Sequence, residues 1–151
     1  VKGTTHAQAV MVPVEDDGGL DPRRLLQLQM AALGDMGISP VTAVELEFYV
    51  SSASPNGEFQ LKTPGGLMSD PDWQQLYQFE ELDCAAPFID DIYRIAEAQG
   101  LPVDAVLQEA GPGQFEINLK HKKDAASAAL DGLLLKRAVK AAARAHGMEA
   151  T

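Results

Sequence analysis

The stretch Glu109-Ala110-Gly111-Pro112-Gly113-Gln114-Phe115-Glu116-Ile117-Asn118-Leu119 decides how this chain is read. Its centre, Ala110 to Gly113, holds two glycines and a proline, residues that suit a tight connection between neighbouring antiparallel strands. The flanks are strand-like: Val103 to Glu109 runs into the turn and Gln114 to Lys120 leaves it. After the turn, Phe115, Ile117 and Leu119 point one way while Gln114, Glu116 and Asn118 point the other. Glu109 and Glu116 therefore flank the turn as a pair of acids on a polar face.

A second acidic pair lies upstream. From Val41 to Ser51 the chain alternates, so Val44, Leu46, Phe48 and Val50 share one face and Glu45 and Glu47 share the other. With a rise of about 3.3 Å per residue, the two glutamates stand roughly 6.6 Å apart along the strand, close enough for each to serve one divalent ion of a two-ion site. Four glutamates on adjacent strands repel one another on a dry face, so water or cations must offset them. Magnesium or manganese fits this donor set best, because hard ions take oxygen ligands. Zinc favours histidine or cysteine, and neither residue lies in these strands.

The remaining segments set these strands among helices. Ala7 to Val14 reads as a short strand. Asp21 with Pro22 opens a helix carrying Leu25, Leu28 and Ala32, which Gly34 and Gly37 end. Ser52 to Asp72, with Pro55-Asn56-Gly57 and Pro64-Gly65-Gly66, reads as a hairpin or a long loop. Pro87 to Gln99 carries Phe88, Ile92, Ile95 and Ala96 on one stripe ahead of Gly100, the pattern of an amphipathic helix. A last helix runs from an Asp124 cap to His146 and stops at Gly147, and Met148 to Thr151 starts a new element. The class expected is α+β, an antiparallel sheet with flanking helices.

Composition narrows the function. The 151 residues are 46% hydrophobic and carry a formal net charge of −10, which opposes phosphate and so argues against nucleic acid as a partner. Residues 1–118 hold 5 basic and 19 acidic side chains, residues 119–151 hold 7 and 3. The stretch Asp70 to Asp91 has seven carboxylates and no cation, and is expected to be a solvated face. No apolar run approaches the roughly 20 residues of a membrane span. A lone cysteine, Cys84, and an N-terminus without a signal-peptide core make the reducing cytoplasm the expected location. No phosphate-loop or nucleophile-elbow motif occurs, so covalent catalysis has no candidate. His6, His121 and His146 are read as structural.

Taken together, Ala-Val-Glu45-Leu-Glu47-Phe-Tyr-Val, Glu97-Ala-Gln-Gly-Leu-Pro102, the run from Glu109 through His121, and Leu133 to Thr151 resemble the catalytic domain of glutamine synthetases. The likeness is strongest to the members that glutamylate polyamines such as putrescine. It implies that residues 1–151 are the first half of such a domain, with residues 1–20 as the tail of, or linker from, a small N-terminal domain. It also implies an ATP-dependent ligase: glutamate's side-chain carboxylate is phosphorylated, and ammonia or a polyamine then displaces phosphate to give a γ-glutamyl amide. By the same resemblance Glu45 serves a magnesium or manganese ion on the nucleotide side, while Glu47, Glu109 and Glu116 hold one on the glutamate side. Glu109 also faces the incoming amine, Tyr77 lines the amine pocket, and Asp104 matches a nucleotide-contacting position where relatives often carry glutamate.

Relatives continue past the position of Thr151 into a strand, a metal-ligand histidine and phosphate-binding arginines, and assemble as rings, commonly two stacked hexamers. The chain is therefore expected to be a fragment, inactive alone and exposing an open sheet edge. Two other readings stand beside this one. One is a truncated, non-catalytic relative acting as an acidic interaction module; the other is an unrelated metal-dependent hydrolase or phosphoryl-transfer enzyme.

Overall fold

The computed structural model describes residues 21–52, 60–61, 77 and 79–151, and it falls into two compact units, Val1–Pro40 and Val41–Thr151. The strand expected over Ala7 to Val14 and the residue His6 lie outside the described residues. In the first unit, helix α1 spans Pro22–Asp35. Asp21 caps it, its carboxylate accepting from the Arg23 N–H at 2.8 Å, and proline occupies the first helical position where no N–H is needed. Gly34 lies inside the helix, and the reversal comes at Gly37, whose φ of 73° suits a residue without a Cβ.

The second unit is an antiparallel sheet with two helices. Strands β1 (Glu45–Ser52), β2 (Gln60–Leu61), β3 (Val103–Gln108), β4 (Gln114–Leu119) and β5 (Met148–Ala150) are interspersed with α2 (Phe79–Ala98) and α3 (Ala125–Ala145). The order is β2-β1-β4-β3, with β5 also pairing β1. The Val50 N–H donates to the Gly113 carbonyl beside β4, whereas the Tyr49 carbonyl accepts from Thr151, so β4 and β5 take opposite edges of β1. The α+β class is as expected, and the predicted strands match within a few residues. Ser51 and Ser52 pair antiparallel with Leu61 and Gln60, and the rest of the segment expected as a hairpin or long loop, residues 53–59 and 62–72, lies outside the described residues.

The core lies between the sheet and the helices. Phe48 of β1, Phe115 of β4 and Phe88 of α2 are all buried, with ring centroids 6.1 to 6.5 Å apart. Aromatic contacts of this kind add about 0.5–1.5 kcal/mol beyond area burial. Helix α3 contributes Leu135, Val139, Ala142 and Ala143 to the same core, and its small residues let it approach closely. At Gly132 an added Cβ would lie 3.0 Å from both methyl carbons of Val44.

Two expectations need correction. The helix expected over Pro87 to Gln99 begins at Phe79, with Pro87 in its interior. The buried stripe Glu81, Ala85, Phe88, Ile92, Ala96 runs at helical spacing straight through the proline, and its packing outweighs the lost backbone bond. For the same reason the acidic stretch is not wholly a solvated face. Glu81 falls on this stripe and is buried, while Glu80, Asp83 and Asp90 are exposed; Asp70 and Asp72 lie outside the described residues. Asp91 pairs with Arg94 at 2.8 Å and with His146 Nε2 at 3.0 Å, so it is not left uncompensated. No helix among the described residues is long and apolar enough to cross a membrane.

Candidate active site

The face of the sheet turned away from α2 and α3 is built by register. Across β1 and β4, Glu45 lies opposite Asn118, Glu47 opposite Glu116, and Tyr49 opposite Gln114. Across β4 and β3, Leu107 lies opposite Glu116, and the Glu109 N–H donates to the Gln114 carbonyl at 2.8 Å, which places Glu109 on the same face at the mouth of the turn. The structure therefore places the four glutamates singled out from sequence on one face, with Glu47 and Glu116 directly opposed and Glu45 and Glu109 opposite Asn118 and Gln114. No Lys, Arg or His occupies these face positions.

The electrostatics are those of crowded acids. The Glu116 carboxyl titrates above the usual glutamate value, first because burial penalises its charge and then because Glu109, Glu45 and Glu47 repel it. A hydrogen bond from the Asn118 side chain acts in the opposite direction, and Asn118 Oδ1 is buried without a hydrogen-bond partner. This donor set fits hard divalent ions by its chemistry: all-oxygen and anionic. It is not a closed cage, since no group of three or more His, Cys, Asp and Glu side chains among the described residues is arranged to hold an ion.

Two residues singled out from sequence stand apart. Asp104 is exposed at a bulge between Val103 and Ala105, near enough to Tyr93 of α2 for its charge to join burial in raising that hydroxyl's pKa. Tyr77 is exposed, with the left-handed φ of 58° just ahead of α2, and among the described residues no hydrogen bond joins it to Glu109. The five arginines all lie on helices, and His146 caps α3 while packing edge-on against Phe88. A cavity of about 110 Å³ borders Leu46, Glu47, Phe48, Lys136, Val139 and Lys140 beside β5. It touches only one of the four glutamates and is not the centre of the site.

Sequence reasoning left Tyr49 unused. It continues the alternation of Glu45 and Glu47, and that alternation was the signal that could have found it. Its hydroxyl donates to Gln114 Oε1 at 2.9 Å, and Gln114 Nε2 donates to Glu47 Oε2 at 3.0 Å.

Residues 19–151 match the family described as glutamine synthetase, catalytic domain. The chain belongs to the glutamine synthetase catalytic-domain family. Among its glutamine synthetase relatives, gamma-glutamylputrescine synthetase PuuA of Escherichia coli strain K12 is 37% identical over 149 residues, covering 95% of this chain and 32% of that protein. A glutamate–isopropylamine ligase from a Pseudomonas species is 28% identical over 141 residues, covering 87% of this chain and 28% of that protein. The solved structure titled GmaS/ADP complex superposes with a TM-score of 0.67 at 27% identity, covering 87% of this chain and 29% of that one. The chain thus spans about a third of the length of the relatives it matches.

Proposed function

We propose that this chain forms part of the catalytic domain of an ATP-dependent ligase that joins an amine to the side-chain carboxylate of glutamate. The observation that carries the reading is the placement of Glu45, Glu47, Glu109 and Glu116 on one sheet face that bears no cationic side chain among the described residues. In this reading an oxygen of the glutamate side-chain carboxylate attacks the terminal phosphorus of ATP and ADP departs. The amine nitrogen then attacks the γ-glutamyl carbon of the acyl phosphate, and phosphate leaves. Bound magnesium or manganese supplies the positive charge that offsets phosphate oxygens during both steps.

The chain's own residues divide the work. On family resemblance, Glu45 would serve an ion on the nucleotide side, and Glu47, Glu109 and Glu116 would serve one on the glutamate side. Glu109, at the mouth of the turn, attracts the amine as an ammonium and takes a proton from it. Tyr77 is assigned to the amine pocket and Asp104 to the nucleotide on family resemblance. The amine is ammonia or a polyamine; the likeness to a gamma-glutamylputrescine synthetase, at 37% identity over 95% of this chain, supports the polyamine. The solved ADP complex of a similar protein supports the nucleotide. Because the arginines of this chain lie on helices, catalysis draws its phosphate-binding cations from elsewhere in the complete protein, a cytoplasmic ring-shaped homo-oligomer. The acidic-module alternative draws less support, since Glu81 is buried and Asp91 is paired.

Manganese titration of the chain, followed by electron paramagnetic resonance, tests this reading. Glu47→Gln and Glu116→Gln are each expected to weaken binding strongly, and unchanged affinity in both folded variants overturns the site. The 151-residue chain alone is expected to form no γ-glutamyl amide from ATP, glutamate and putrescine; formation at an ordinary enzymatic rate would show that the chain is catalytically complete.

A further inference from the structure

Gln114 opens β4 directly opposite Tyr49, and its amide is held on both sides. The Tyr49 hydroxyl donates to Oε1 at 2.9 Å and the Gly111 N–H donates to the same oxygen at 3.0 Å. Only an amide oxygen accepts two such donors, so the amide orientation is determined and Nε2 faces Glu47, donating to Oε2 at 3.0 Å. This last bond is charge-assisted, the stronger class of hydrogen bond. Glu47 is otherwise an exposed side chain on a strand, free to sample rotamers.

Gly111 completes the arrangement. A Cβ there would sit 2.9 Å from Tyr49 Oη and 3.0 Å from Gln114 Oε1, so the turn approaches these side chains as closely as a glycine permits. Gly111 is not among the glycines with positive φ, so the absence of a side chain serves the contact with Tyr49 and Gln114 rather than the turn's backbone.

We infer that Gln114 is a positioning residue: clasped by Tyr49 and Gly111, it sets the orientation in which the Glu47 carboxylate meets a divalent cation. The cation rests on the ligase reading above; the clasp itself does not. Ligand carboxylates are commonly oriented by such outer hydrogen bonds, whose removal weakens metal binding about 10-fold or more.

The two are separated by experiment on the 151-residue chain. In metal-free protein, NMR of the Gln114 side-chain amide is expected to show a downfield, slowly exchanging proton that returns to its solvent-exposed position in Gly111→Ala and weakens in Tyr49→Phe. A solvent-like resonance in the unsubstituted protein overturns the inference whether or not metal binds. With manganese, Gln114→Met is expected to lose about 10-fold in affinity, and to lose nothing further when Glu47 is already glutamine. Equal losses in both backgrounds, or none in either, overturn it. Should Gln114→Met not fold, Gly111→Ala decides, because the nearest atoms to its methyl belong to the Tyr49 and Gln114 side chains rather than to backbone. Failure of the unsubstituted chain to bind manganese, with the protected amide intact, sinks the metal reading and leaves the clasp standing.

Discussion

Glu47 of β1 and Glu116 of β4 are direct cross-strand partners on one face of an antiparallel sheet. Like charges in that relation destabilise the sheet, and Glu116 holds its proton more tightly than a free glutamate does, chiefly because burial penalises its charge and then because Glu109, Glu45 and Glu47 repel it. The fold tolerates this conflict at the point where the ligase chemistry is proposed, a pattern common at functional sites.

The first prediction concerns pH. A carboxyl whose folded pKa is raised binds its proton more tightly in the folded state, so its contribution is most favourable below the ordinary glutamate value and is lost as pH rises through the folded value. Asp91, lowered chiefly by the Arg94 hydrogen bond and then by His146, has the opposite sign: its stabilisation is present above the ordinary aspartate value and lost on acidification. Urea denaturation in chelator between about pH 4 and about pH 7 is expected to give a flatter loss of stability with rising pH in Glu116→Gln than in the unsubstituted chain. An unaltered slope would mean that Glu116 does not titrate differently in the two states.

Divalent ions should reverse that penalty. A ligand bound only by the folded state stabilises it by about 2.7 kcal/mol at one hundred times its Kd. Manganese is expected to raise Tm of the unsubstituted chain and to leave the double variant Glu47→Gln, Glu116→Gln unmoved. Calorimetry with and without manganese reads the difference.

The aromatic cluster makes a separate claim on stability. Phe115 is completely buried against Phe48 and Phe88, so Phe115→Ala is expected to cost about 3–5 kcal/mol. Chemical denaturation measures it, and a loss below about 1 kcal/mol would contradict the packing described.

Gly132 carries a steric prediction. In a helix, Gly→Ala ordinarily stabilises by about 1 kcal/mol, but here the added methyl meets both Val44 methyls at 3.0 Å. Overpacking of that kind costs about 1–3 kcal/mol, so Gly132→Ala is expected to destabilise on balance. In a Val44→Ala background the same substitution should become neutral or stabilising. Additive effects across the two positions would remove the clash from the account.

Much of the site is legible in the amino-acid sequence because a strand has a side-chain period of two. Glu45 and Glu47 have to share a face, as do Gln114, Glu116 and Asn118, and the glycine-rich turn makes the two strands it joins neighbours. The long α2 is not legible from its start, because Pro87 resembles a helix opening and only packing against Phe48 and Phe115 carries the helix through it. The burial of Glu81 is hidden for the same reason: its place on the inner stripe emerges only when the helix is seen to begin at Phe79.

The sequence by itself determined which residues are acidic, which strands alternate, where the turns fall and to which family the pattern is similar. These are local properties, governed by backbone sterics and side-chain period. Only the tertiary structure decided that β4 lies beside β1 in the register that opposes Glu47 to Glu116, that Tyr49 and Gly111 close on Gln114, and that Asp104 stands apart near Tyr93. Register between strands distant in sequence is settled by burying Phe48, Phe88 and Phe115 together, since a slip of one residue in β4 would turn Phe115 to the outer face and Glu116 toward the core.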